Sequence, residues 1–324
     1  MRIVKIILLV LIFSLVAIAG YVGYVKWALP DIALRKEVKI PTDSASIAHG
    51  KYLANSVAVC IDCHSQRDWS KLAGPIVLGT EGQGGERFDQ NAGFPGVFFS
   101  KNITPDNLKN WSDAEIFRAI TTGVDKDNKA LFPVMPYMHY GQCDPSDIAD
   151  IIAYIRSLKP IKNEVENSVP DFPISILINT MPQEAKFVTR PAASDKLAYG
   201  KYLVTMAGCG ECHTKQDKGK PLPGMEFAGG FEFKMPTGGI VSSVNITPDP
   251  ETGIGNWTEE AFVNFFRQFS ADSGYVAPPV VKGALNTPMP WLMYGNMKTD
   301  DLKAIYAYLR TVKPIHNKVE LFKP

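Results

Sequence analysis

The longest apolar pattern in the chain comes first. Between Lys5 and Lys26 lie twenty residues, IILLVLIFSLVAIAGYVGYV, without a charge. At about 1.5 Å per residue, a helix of that length reaches roughly 30 Å, the thickness of a bilayer's hydrocarbon core. Tyr21, Tyr24 and Trp27 gather at its C-terminal end, where amphipathic rings favour a membrane interface. Ala17-Ile18-Ala19 also offers the small residues of a signal-peptide cleavage site. The apolar run continues past that point, so residues 1–27 read as a retained transmembrane signal anchor and 28–44 as a linker. Arg2 and Lys5 precede the run while Lys26, Arg35, Lys36 and Lys39 follow it, so charge alone does not orient it.

Beyond the anchor the pattern shifts to short helical stripes separated by long Gly- and Pro-rich loops. Ile116, Ala119 and Ile120 lie at i, i+3, i+4 behind Ser112, with Glu115 placed for a capping box. Thr258 opens an equivalent stripe with Ala261 in place of the acid. Asp144 before Pro145 opens another helix, and Thr299 with Asp300 and Asp301 opens its counterpart. These two stop before Pro160 and Pro314. No strand pattern of any length is visible, so the fold class reads as all-α. Residues 168–194 carry four prolines and read as an extended connector whose apolar patch, Ile174 to Ile178, packs on a domain.

The stripes belong to a unit written twice. HGKYLANSVAVCIDCH (49–64) is echoed by YGKYLVTMAGCGECH (199–213), NITPD occurs at 102–106 and 245–249, and Trp111 and Trp257 follow. MPYMHYG (135–141) matches MPWLMYG (289–295), and AYIRSLKPIKNEVE (153–166) matches AYLRTVKPIHNKVE (307–320). The offset is 149 at the first cysteine, 143 at the NITPD asparagine and 154 at the MP methionine, which places insertions in the loops between blocks. The expected division is one domain over 45–166, a connector over 167–193 and a second domain over 194–324.

A chain of 324 residues suits two domains of ordinary size. Its net charge of +1 gives no reason to propose nucleic acid. Four of the five cysteines fall in the two C-x-x-C-H clusters, leaving no disulfide framework. The fifth, Cys143, reads as a small buried apolar residue or, exposed, an oxidisable thiol.

Zinc, a redox dithiol and haem all use such clusters. A closed zinc site wants a fourth ligand from a second pair 12 to 20 residues on, and neither repeat offers one. A thioredoxin-like dithiol wants a βαβ setting, whereas the context here is helical. Haem uses every residue: Cys60 and Cys63, and Cys209 and Cys212, add across the vinyl groups of two covalently bound haems c. His64 and His213 are then aimed at the irons. The sixth ligand is sought in the matched blocks, where Gly141 aligned on Gly295 pairs Met135 with Met289. Met138, Met293 and His139 are the fall-back ligands.

C-x-x-C-H followed by M-P-x-x-x-Y and an AYLR-type closing helix resembles the class I cytochrome c fold, here as two tandem domains after the anchor. With NITPD, the connector and the KPI endings, the chain after about residue 45 resembles the multihaem cytochrome c subunits of periplasmic quinoprotein alcohol and gluconate-type dehydrogenases. Those subunits commonly carry three haem motifs, and this chain has two. The resemblance implies that Gly50, Tyr52, Gly200 and Tyr202 lie where the N-terminal helix crosses the C-terminal one, with Tyr154 and Tyr308 packed there. It offers Asn102, Trp111, Asn245 and Trp257 as contacts to haem propionates, with simple loop and core roles as the alternative.

A haem held by His and Met has no vacant position, so the expected role is relay of single electrons, with no catalytic residue of its own. The expected partners are redox donor and acceptor proteins, such as a dehydrogenase or a quinol/oxidase complex. The rivals are a haem-binding sensory or assembly module, and a dihaem peroxidase or thiosulfate-oxidising enzyme with one open or unusually ligated iron, to which Cys143 would be relevant. Covalent haem attachment in bacteria takes place outside the cytoplasmic membrane, so the expected arrangement is single-pass, with both haem domains in the periplasm.

Overall fold

The computed structural model describes residues 2–35, 37–217 and 219–324. Met1, at the start of the anchor range, and Lys36, in the charge count, lie outside them. One helix, Arg2–Ala28, is long and apolar enough to cross a membrane. The linker after it is held: Arg118 donates to Ile32 O (3.2 Å), and the Arg35 guanidinium lies over the Phe117 and Phe187 rings.

Each repeat then builds the same series of helices. An opening helix (Ser44–Tyr52; Lys196–Met206) leads to an attachment turn (Cys60–Cys63; Cys209–His213). A middle helix (Asp113–Thr122; Glu259–Arg267), a methionine turn (Tyr137–Tyr140; Trp291–Tyr294) and a closing helix (Pro145–Ser157; Thr299–Leu309) follow. The capping box forms between Ser112 and Glu115, while Thr258 caps through Ala261 N alone. Asp144 caps the first closing helix, but Thr299 sits inside the second one, behind Lys298, which gives no side-chain cap.

Opening and closing helices cross at glycine in both halves. A Cβ on Gly50 would run into the Asp150 carbonyl, and one on Gly200 into that of Ala304. Only an absent side chain lets the backbones approach so closely. Around these crossings a continuous apolar core runs from Leu53, Ile61, Ile148 and Ile152 of the first repeat to Leu203, Met206, Leu302 and Leu309 of the second.

The halves meet through a reciprocal pair of bonds. Tyr52 Oη donates to Asp301 Oδ2 (2.5 Å) and accepts from Lys298 N (3.1 Å). At the matching positions Tyr202 Oη donates to Asp147 Oδ2 (2.5 Å) and accepts from Asp144 N (3.0 Å). The pair departs from symmetry in its surroundings. Asp147 also receives Arg190 of the connector (2.5 Å) and lies 3.1 Å from His49, whereas Tyr52 has the Lys298 ammonium over its ring.

The all-α expectation is corrected by three small antiparallel sheets among the described residues. One pairs Arg87–Phe88 with Gly96–Phe99 and then Val169–Pro170; another pairs Glu232–Lys234 with Ile240–Ser242 and then Phe322–Lys323. The third pairs Gln216–Asp217 with Lys220–Pro221. Runs of two to four residues are too short to display a period of two. Ile174–Leu177 packs both on the strand Val169–Pro170, which joins the first repeat's sheet, and on the long N-terminal helix, and none of its residues is fully buried.

Candidate functional site

The attachment turns start from residues in the left-handed region, Val59 (φ 47°) and Gly208 (φ 63°). That conformation redirects the chain so that both cysteines fall on one helical turn. None of the four thiols is paired in a disulfide.

Each histidine is oriented from behind by a backbone carbonyl. His64 Nδ1 lies 2.6 Å from Lys101 O, and His213 Nδ1 lies 2.8 Å from Val244 O. A carbonyl only accepts, so Nδ1 carries the hydrogen and Nε2 keeps its lone pair for a metal. Burial lowers the pKa of both rings, with the carbonyl bonds opposing it, so both are held neutral. A neutral imidazole with a free Nε2 beside two free thiols fits a covalently attached haem.

The acceptors belong to the residues just before the NITPD blocks, which explains much of that motif's recurrence. Asn102 donates to Ile161 O (2.8 Å) and Asn163 O (3.3 Å), while its Oδ1 accepts from Thr104 N and Oγ1 (2.9 and 2.7 Å). Asn245 donates to Ile315 O (2.8 Å) and Thr252 Oγ1 (3.0 Å), and its Oδ1 accepts from Thr247 in the same way. Both amide hydrogens of each are used inside the protein. These bonds make each asparagine a brace between the histidine's acceptor loop and the KPI segment. Trp111 and Trp257 present their carbonyls to Arg156 and Tyr306 (each 2.6 Å), and their indole N–H groups take no part in these bonds.

Met135 and Met289 share one local frame. Tyr137 N donates to Met135 O and Trp291 N to Met289 O, both at 2.8 Å, and the intervening prolines have ψ of 53° and 63°. The methionine turns are tied to the segments before the cysteines: Tyr140 Oη donates to Ala58 O and Tyr294 Oη to Ala207 O, each at 2.9 Å. These tyrosines were visible in the sequence only as the last letter of M-P-x-x-x-Y. Of the fall-back ligands, Met293 is buried, Met138 lines a surface depression, and His139 Nε2 is engaged 2.8 Å from Glu211 Oε1. Glu211 stands between Cys209 and Cys212, so this contact joins one repeat's methionine turn to the other's attachment turn. Its counterpart Asp62 instead pairs with Arg67 of its own repeat (3.2 Å).

Cys143 is fully buried, donates to His139 O (3.4 Å), and is pushed up to about 12 by burial and by Asp147 and Asp144.

Residues 197–313 match the cytochrome c family model, so the chain carries a cytochrome c domain, which implies covalently bound haem c. The chain is 27% identical, over 84% of its length and 57% of the relative's, to the cytochrome c subunit of a quinone-type alcohol dehydrogenase from Gluconacetobacter polyoxogenes. It is 27% identical to a fructose dehydrogenase cytochrome subunit from Gluconobacter japonicus, over 82% of this chain and 52% of that one. A diheme cytochrome c-type protein of Cereibacter sphaeroides is 28% identical over 79% of this chain and 82% of its own. The chain spans little more than half the length of the two dehydrogenase subunits.

Proposed function

We propose that this protein is a membrane-anchored dihaem cytochrome c that relays single electrons between a donor and an acceptor, as the electron-transfer subunit of a dehydrogenase. Each repeat is read as one cytochrome c domain, over 45–166 and 194–324. Cys60 and Cys63 would hold one haem by thioethers, with His64 and Met135 as the ligands to its iron; Cys209, Cys212, His213 and Met289 would do the same for the other. A haem with both axial positions filled by His and Met supplies one-electron chemistry without ligand exchange.

The observation that carries this reading is the duplicated frame: both histidines bonded through Nδ1 to a carbonyl, and both methionines in the same proline turn. In each half, the carbonyls of Lys101 and Val244 fix the ring tautomer, and Tyr140 and Tyr294 hold the methionine turn at a set distance from the cysteines. The indole N–H groups of Trp111 and Trp257 are proposed to meet the propionates. A peroxidase or thiosulfate-oxidising reading needs an open or unusually ligated iron, and Cys143, its candidate ligand, is fully buried with its thiol donating to His139 O.

The dehydrogenase partner is supported by the names of the relatives; a quinol/oxidase complex is the proposed acceptor. The anchor would hold both domains on the periplasmic face of the cytoplasmic membrane, where covalent haem attachment takes place. In the oxidised protein, methionine-to-iron charge-transfer absorption from two haems is expected. A high-spin signal from either would overturn the relay reading.

A further inference from the structure

Along the described anchor helix the side chains are exposed up to its last turns, where Val25 is completely covered. The cover comes from the connector. Ile174–Leu177 and Ile178–Thr180 both pack on the helix, and Asn179 Nδ2 donates to Val25 O at 3.1 Å. The connector is thereby pinned level with Tyr24 and Trp27, the rings that mark the membrane interface.

The pinned segment is unlike the rest of the connector. From Phe172 to Gln183 it carries no charge, and Asp171 and Glu184 bound it. No residue of Ile174–Leu177 is buried, and Phe172 is 81% exposed. Val169 and Leu177 add to the same exposed apolar surface. A charge-free apolar turn held against the exit of a membrane helix, with Phe172 and Leu177 exposed and Ile174, Ile176 and Ile178 only partly covered, has the composition of an interfacial contact.

We propose that Phe172–Thr180 is a second membrane contact, seated at the boundary between headgroups and acyl chains of a phospholipid bilayer beside the anchor. The proposal rests on reading Arg2–Ala28 as a membrane span. The surface is continuous with that span, and this continuity selects lipid as its occupant. Two attachments, one spanning and one lying flat, would fix how the haem domains face the bilayer, where a lone helix would leave them free to swivel.

The test uses the full haem-loaded chain in nanodiscs of phosphatidylethanolamine and phosphatidylglycerol, with a diazirine near the glycerol end of one acyl chain. After irradiation, adducts are mapped by mass spectrometry. Residues 172–181 should carry at least ten-fold more adduct than 276–285, where Val276 and Val281 are similarly exposed but have no bond to the anchor. Adducts confined to 6–25 would overturn the connector contact, including the case where a partner protein covers it, while leaving the anchor in place. Adducts in neither segment would overturn the anchor reading itself.

Discussion

Tyr52 of the first repeat donates a 2.5 Å hydrogen bond to Asp301 of the second, a carboxylate only 5% exposed. Tyr52→Phe removes that donor and strands a buried acceptor, which costs about 1–3 kcal/mol. Tyr202→Phe should cost less, because Asp147 keeps Arg190. Urea denaturation of the haem-loaded protein measures both, and equal losses would mean that Arg190 adds nothing.

Replacing either proposed methionine ligand should open one iron and leave the other closed. Met135→Ala is expected to admit carbon monoxide at the first haem only, and Met289→Ala at the second only. Met293→Ala should admit none; carbon monoxide binding by that variant would show that the register of the methionine turn has been misassigned.

Gly50→Ala and Gly200→Ala each drive a methyl group into a carbonyl of the closing helix. Overpacking of this kind costs about 1–3 kcal/mol, and more where backbone must move. Melting temperature should fall in both variants, with the absorption of whatever folds unchanged.

The Glu115 carboxylate is held below its ordinary value of 4.5 by its hydrogen bonds from Ser112. A carboxylate whose folded pKa is depressed contributes stability above its unfolded pKa and loses it as pH falls through the folded one. The difference in melting temperature between wild type and Glu115→Ala should therefore be full at pH 7 and shrink at pH below 4.5.

Cys143→Ser should leave the spectra of both haems unaltered, since the thiol is spent on His139 O. A shifted band in either would bring an unusually ligated iron back into consideration.

Much of the site was legible because its chemistry is local. Two cysteines and a histidine on one turn, a methionine before a proline, and a serine three residues before a glutamate all fall within six positions. What escaped depends on partners far apart in the chain. Tyr52 and Asp301 are separated by 249 positions, and nothing near either residue signals the other. The edge strands Val169–Pro170 and Phe322–Lys323 are two residues long and acquire meaning only from the ladders they join. Recurrence marked Asn102 and Asn245 as important, but a propionate contact and a loop brace predict the same recurrence. The bonds to Ile161 and Ile315, which lie 59 and 70 positions away, supply the brace and have no local signal in the sequence.

The connector between the repeats also acts as a tether. A link that spans both sites makes their contact intramolecular, at an effective concentration on the order of 1 mM, so a contact that would half-dissociate at about 10 µM as separate chains stays about 99% closed. The Tyr–Asp pair need not be strong enough to assemble free subunits. This leaves each copy free to diverge, as His49 and Arg190 around Asp147 and Lys298 beside Tyr52 already have, while the relative placement of the two halves is preserved.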